Sequence, residues 1–165
     1  MLSVGDSLPD FDLPAADGDA IVNLRRESLK GKWTILFCYP EDFSFICPTE
    51  VTGFNSHLAD ARKVGAQIIG FSTDPVNIHM DWIKELGIKY PLISDEEGKF
   101  SIALGILDQK DSRCNRATFI VGPDLRIEFV MVTSRNIGRS VKETMRIMDA
   151  IHSGERCPAD WHSTE

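Results

Sequence analysis

The chain has 165 residues, 42% of them hydrophobic, which is enough for one well-packed domain over 1–165 and too few for two ordinary ones. Its 18 basic and 25 acidic residues leave a net charge of -7, which disfavours nucleic acid and anionic membrane surfaces as partners, and no apolar run reaches the ~18 residues of a membrane span. The opening Met1-Leu2-Ser3-Val4-Gly5-Asp6 lacks the basic and apolar regions of a secretory signal, so a cytoplasmic location is expected, and four dispersed cysteines form neither a disulfide scaffold nor a zinc-ligand pattern.

Turn formers at Leu13-Pro14 and Asp17-Gly18-Asp19 flank short apolar pieces such as Ile21-Val22-Asn23-Leu24, which predicts an N-terminal hairpin. The run 33–39 is apolar and partly β-branched, hence a buried strand, and Pro40 stops it. Val51, Phe54, Leu58 and Ala61 recur at intervals of three and four, predicting a helix over 48–64 with Pro48 at its first position and Gly65 at its end. A second strand over 67–72 follows, then a helix started by Ser72-Thr73-Asp74-Pro75 and closed at Leu86-Gly87. Residues 90–95 read as a short strand and 99–105 as a brief helix with Phe100, Ala103 and Leu104 inward. Strands over 117–121 and 127–132 flank the turn Gly122-Pro123-Asp124-Leu125. A last helix over 140–151 has Ser140 as its cap, Glu143 three residues on, and Gly154 beyond, before the polar tail 155–165.

A βαβ half followed by a ββα half gives an α/β fold, a mixed central sheet flanked by helices, with the hairpin as an N-terminal extension. In such sheets sites lie beyond the C-terminal ends of strands, which is where the loop from Pro40 to Cys47 falls. Cys47 would stand among the unpaired N–H groups of a helix start, where the thiolate is favoured. Position alone leaves two readings open, a reactive thiol or an inert one, because free cysteine is among the most buried residue types. Cys38 reads as a small core hydrophobe. Cys114 follows the polar Lys110-Asp111-Ser112-Arg113, which would leave it exposed and open to reaction. His57, His79, His152 and His162 form no ligand set, so neither a metal nor a cofactor is expected.

Read together, Pro40-x-x-x-Ser44-x-x-Cys47 and Pro48-Thr49-Glu50 resemble the peroxiredoxins, of the alkyl hydroperoxide reductase C type. The resemblance extends over Val4-Gly5-Asp6, Pro9-Asp10-Phe11, Ser72-Thr73-Asp74 with Trp82, Arg116 to Val121, Gly138-Arg139-Ser140 and Gly154 to Trp161. It implies a thioredoxin-like fold and a thiol peroxidase that reduces hydrogen peroxide and organic hydroperoxides. By the same resemblance Cys47 is the peroxidatic cysteine and Arg116 stabilises its thiolate and the charge developing on the peroxide oxygens. Pro40 shields the site, and Ser44 stands where the family usually has threonine. Serine keeps the hydroxyl and loses the methyl that restricts rotation. Glu50 resembles the glutamate that orients the arginine, and without that role would be a favourable charge at a helix end. Arg139 stands behind them by resemblance and would otherwise be a solvated arginine, while Trp82 packs nearby.

Cys157, in Cys157-Pro158-Ala159-x-Trp161, resembles the resolving thiol of the two-cysteine branch. That branch forms a disulfide between Cys47 of one subunit and the resolving thiol of its partner, implying a homodimer, with decamers common in the family, recycled by a thioredoxin-like protein or a flavoprotein disulfide reductase. Leu92-Ile93-Ser94-Asp95 and Ile102 to Asp108 resemble instead the one-cysteine branch, which uses an external thiol. A thioredoxin-type oxidoreductase would want cysteine at position 50, where Glu50 stands. A non-enzymatic holdase or redox-signalling protein would oxidise slowly at Cys47. The Gly-Gly-Leu-Gly insertion and Tyr-Phe helix of overoxidation-sensitive members are absent. Without that clamp Cys47 should resist conversion to sulfinic acid. A titration of activity against peroxide is expected to show this resistance; inactivation at low stoichiometric excess would contradict it.

Overall fold

The computed structural model describes residues 1–164. Its centre is the apolar run before Pro40, strand β3 (Trp33–Cys38), in which every residue from Thr34 to Cys38 is buried. Alternate side chains explain why the run is continuously apolar: both faces of the strand are covered. Leu36 and Cys38 point into one core with Ile69, Phe71, Phe100, Leu104 and Phe119. Ile35, Phe37 and Tyr39 point into the other with Cys47, Val51, Phe54, Trp82 and Met148.

In chain order the strands are β1 (Asp12–Asp17), β2 (Ala20–Arg25), β3, β4 (Ala66–Ser72), β5 (Leu92–Ser94), β6 (Leu107–Asp108), β7 (Arg113–Cys114), β8 (Arg116–Val121) and β9 (Ile127–Thr133). Seven of them form one sheet in the order β2-β1-β5-β4-β3-β8-β9, and β6 with β7 makes a separate small hairpin. β3 runs parallel to β4 and antiparallel to β8, which is the mixed sheet expected. The helices are α1 (Cys47–Ser56), α2 (Leu58–Lys63), α3 (Val76–Leu86), α4 (Lys99–Leu104) and α5 (Val141–Ser153). Among the described residues no helix is long and apolar enough to cross a membrane.

The fold departs from the sequence reading at several points. Pro14 lies inside β1 rather than in a turn; β1 meets β5 only at Ala15 and Ala16, and Pro14 sits beyond that pairing, where a strand tolerates proline. The N-terminal hairpin is consequently part of the main sheet. The helix expected over 48–64 breaks at His57. There the Ser56 hydroxyl donates to Gly53 O at 2.7 Å and the His57 ring lies 2.9 Å from the same carbonyl, so side chains compete for the acceptors of a continuing helix. In α4 the inward residue is Ser101, not Ala103, because Ser101 N and Oγ donate to the buried Asp95 carboxylate at 2.7 and 2.6 Å. The hairpin β6–β7 has strands too short to register as a periodic signal. At the other end the cap holds: Ser140 Oγ accepts from Glu143 N, and Gly154 ends α5 with φ of 68°.

Gly70 in β4 faces Phe37 on one neighbouring strand and Leu92 on the other. A methyl group added there would come within 2.8 Å of Leu92 Cδ2 and 2.9 Å of Phe37 Cζ. Gly70→Ala is expected to destabilise the fold by about 1–3 kcal/mol through overpacking, read as a lower urea midpoint. An unchanged midpoint would show that the strand spacing is not set by this contact.

Candidate active site

Cys47 opens α1, one residue earlier than the sequence suggested, with Pro48 at the second position. Its thiol is fully buried. The register that sets Cys38 against Ala117 brings Arg116, the first residue of β8, beside the loop leaving β3. From there Arg116 Nη1 donates to Cys47 Sγ at 3.3 Å and to Glu50 Oε1 at 2.5 Å, while Nε donates to Arg135 O at 2.8 Å. Glu50 lies three residues after Cys47 on α1, so the two side chains share a face of the helix.

The other oxygen of Glu50 accepts from Arg139 N at 2.7 Å and Arg139 Nε at 2.8 Å. Arg139 also donates to Ala117 O at 2.7 Å, Thr118 Oγ1 at 3.1 Å and Cys38 O, and its guanidinium lies 5.2 Å from the centre of the Phe37 ring. It is therefore buried and fully engaged, not a solvated helix-start arginine. Glu50 likewise is not a surface helix-end charge: it is 2% exposed and clasped between two guanidinium groups. Two cations and one carboxylate leave one positive charge over, and it faces the sulfur. Negative charge developing at that point meets donors already in place.

The loop over the site is anchored by a network around Asp42, which the sequence reading did not single out. Asp42 Oδ1 accepts from Tyr39 OH at 2.6 Å, Oδ2 lies 2.6 Å from His79 Nδ1, and the Asp42 amide donates to Asp74 Oδ2 at 2.8 Å. His79 Nε2 lies 3.0 Å from Ile93 O. Burial pushes the Tyr39 phenol well above its usual range and raises the Asp74 carboxyl. Asp42, Asp74 and His79 lie close together, and hydrogen bonds to one another and to Tyr39 join them into one network. The sequence offers two adjacent carboxylates, Glu41 and Asp42, after Pro40; that Asp42 has a partner at position 79 becomes visible only through the fold.

Pro40, Ser44, Ile46 and Arg116 line an open depression whose far rim is Arg113, Arg135 and Asp111. Ser44 Oγ donates to Glu41 O at 3.1 Å, so it must rotate to serve the thiol, a freedom that serine has. Trp82 is buried against Tyr39, with ring centres 5.4 Å apart, and against Phe43 at 6.1 Å. It packs the loop, as expected. At the rim, the Arg135 fork holds the Asp111 carboxyl down to about 2, and Arg113 pairs with Glu41 at 2.6 Å.

Cys157 is half-buried at the end of α5, its sulfur 3.8 Å from Ala150 O and 3.5 Å from Glu155 O. Both it and Cys47 are free thiols, and the described bonds of the two share no residue. Cys38 is buried, as expected. Cys114 is not exposed: the turn 109–112 carries the polar side chains outward while β7 turns Cys114 inward, where its sulfur lies 3.2 Å from Ser101 Oγ.

A cysteine at a helix start, gripped by an arginine that a buried glutamate holds, belongs to a known pattern. Residues 4–130 match the AhpC/TSA family. The chain belongs to that family. It is 33% identical to alkyl hydroperoxide reductase C of Mycolicibacterium smegmatis over 98% of this chain and 90% of the relative. Its fold matches the crystal structure of Enterococcus faecalis AhpC with a TM-score of 0.88, at 32% identity, over 96% of this chain and all of the other. The reduced 2-Cys peroxiredoxin of Plasmodium vivax aligns with a TM-score of 0.91 at 31% identity, covering 98% of this chain and 90% of that one. Like the rest of the AhpC/TSA family, the chain is a thiol-dependent peroxidase on a thioredoxin-like fold.

Removing Arg139 would leave Glu50 buried with half its partners, and breaking a buried pair on one side is costly. Arg139→Met is expected to lower stability by about 3–5 kcal/mol in urea unfolding, and adding Glu50→Gln to recover part of that loss. A change within about 0.5 kcal/mol, as at an ordinary surface residue, would contradict the assignment.

Proposed function

We propose that Cys47 is the peroxidatic cysteine of this enzyme and Cys157 its resolving cysteine, supplied by the partner subunit. The observation that carries the reading is the 3.3 Å contact of Arg116 Nη1 with Cys47 Sγ, held by the ion pair to Glu50. The Cys47 thiolate attacks the terminal oxygen of hydrogen peroxide or an organic hydroperoxide. The O–O bond breaks, the sulfur becomes sulfenic acid, and water or an alcohol leaves after taking a proton. Arg116 meets the charge that spreads over the peroxide oxygens, the Ser44 hydroxyl turns from Glu41 toward them, and Pro40 keeps water out. No cofactor is needed.

The second step requires the buried sulfur to come out, because a disulfide joins Cα atoms within roughly 7 Å. Three features support local opening of the first turn of α1. Its N-cap, Ile46, offers no side-chain bond; Phe43 holds a left-handed backbone with φ of 55°; and Phe45 is 94% exposed. The Cys157 thiol then attacks the sulfenic sulfur and water leaves, closing an intersubunit disulfide. A homodimer is the smallest assembly this needs, with the decamer as the larger form, and residues 1–165 act as one domain with the resolving thiol in the tail 155–165. A thioredoxin-like protein or a flavoprotein disulfide reductase regenerates the dithiol, in a cytoplasmic setting that keeps the other cysteines reduced.

Non-reducing electrophoresis with mass mapping after one equivalent of hydrogen peroxide tests the pairing. The expected product is a dimer crosslinked through Cys47 and Cys157, absent in Cys157→Ser. A monomer carrying sulfenic acid at Cys47 would contradict resolution by Cys157 and point to an external thiol. In stopped flow, Arg116→Met is expected to slow oxidation of Cys47 by about 10²-fold or more; an unchanged rate would remove Arg116 from the chemistry.

A further inference from the structure

Cys38 and Cys114 are separated by 76 positions in sequence, and neither takes part in the chemistry at Cys47. Both are completely buried in the same core, on the face of the sheet away from Cys47. Cys38 Sγ donates to Asn115 O at 3.1 Å, the carbonyl of the residue next to Cys114. The neighbouring Cys38 thiol and burial push the Cys114 thiol well above its usual range. The two thiols therefore share one region of the core, with Cys38 hydrogen-bonded to the residue that follows Cys114. Joining them removes two hydrogens and adds no volume, whereas an oxygen added to either would have to be forced into a packed interior.

We propose that Cys38 and Cys114 are a second, intramolecular dithiol that hydroperoxide closes to a disulfide when it outlasts turnover at Cys47. The two thiols are unequally placed. Cys38 lies in the central strand β3, while Cys114 lies in β7, half of a hairpin with strands of two residues and an exposed turn over 109–112. Opening of that hairpin is a local event, and it brings Cys114 to solvent first.

Ser101 Oγ donates to Asp95 Oδ2 at 2.6 Å, so its lone pairs face the Cys114 S–H 3.2 Å away. Once the hairpin opens, the proton of Cys114 passes to solvent, and the sulfur attacks the terminal peroxide oxygen. The O–O bond breaks, Cys114 becomes sulfenic acid, and the departing oxygen takes a proton to leave as water or alcohol. Cys38 sulfur then attacks Cys114 sulfur, and hydroxide departs with the Cys38 proton as water. In sum, two thiols and one hydroperoxide give one disulfide, one alcohol or water, and one further water. Burial and the high position of the Cys114 thiol make this slow beside Cys47. The crosslink pins to β3 the hairpin that carries Asp111 and Arg113, and through their pairs with Arg135 and Glu41 it fixes the rim of the active-site depression.

The test uses the full chain with Cys47→Ser and Cys157→Ser, so its outcome is independent of the role given to Cys157. After excess hydrogen peroxide, the denatured protein is alkylated and digested with trypsin. The expected result is a monomer in which the fragment 33–62 is joined to the fragment 114–116, with the loss of two hydrogens per chain and of both alkylation sites. Adding Cys114→Ser is expected to abolish the crosslink and leave Cys38 alkylatable. The same junction is mapped in the unsubstituted protein, which does not depend on how the substituted chain folds. Two free thiols after that exposure, or sulfinic acid on Cys114 without a crosslink, would overturn the proposal.

Discussion

Glu50 held between Arg116 and Arg139 is the interaction on which the site depends. A carboxylate that is 2% exposed has lost its water, and only the two guanidinium groups and the Arg139 amide replace it. Such a cluster adds little to net stability, since desolvation offsets most of the attraction. What it supplies is geometry. Glu50 belongs to α1, Arg116 to β8, and Arg139 to the segment before α5, so the cluster fixes the helix that carries Cys47 against the strand that carries its donor. An arginine free to choose its rotamer would face the sulfur only part of the time; this one is held before substrate arrives.

The same arrangement creates a conflict that the protein resolves by dividing the work between two levels of order. In the proposed mechanism, activation needs Cys47 buried beside Arg116, and resolution by a second thiol needs it released. The anchors sit behind the site: the Tyr39-Asp42-His79 network, the Glu50 cluster and the two cores on either side of β3. The segment from Phe43 to Ile46 in front of it has exposed aromatics, one left-handed residue and a helix start without a side-chain cap. The proposed opening would thereby be confined to one turn while the donor array stays in place.

Much of this was legible in the sequence. A continuous apolar run must be covered on both faces, which made β3 a central strand. The turn at Gly122-Pro123-Asp124-Leu125 and the cap at Ser140 are local chemistry, and local chemistry was read correctly. Cys47 was singled out by its place at a helix start and then by resemblance, Arg116, Glu50 and Arg139 by resemblance, and the structure brings those four together. The misreadings share a cause, which is that the deciding contact lies outside the element being read. Ser101 faces inward because Asp95 waits for it, Cys114 is buried because the hairpin turns at 109–112, and Asp42 matters because His79 arrives from α3. The polar side chains of Ser101 and Asp42, and the polar residues before Cys114, favour exposure, and tertiary contact reverses it. The break at His57 is the exception: the competing side chains are local, but helical periodicity continues through it and conceals the break.

If Glu50 acts on the chemistry only by holding Arg116, the two residues must be coupled. A double-mutant cycle of Glu50→Gln and Arg116→Met, read in the second-order rate constant for oxidation of Cys47 by hydrogen peroxide, measures this directly. The account predicts that Glu50→Gln slows the enzyme when Arg116 is present and has little further effect once Arg116→Met has been made. Equal slowing in both backgrounds would mean that Glu50 acts on Cys47 independently, and that the ion pair is not what arms the thiol.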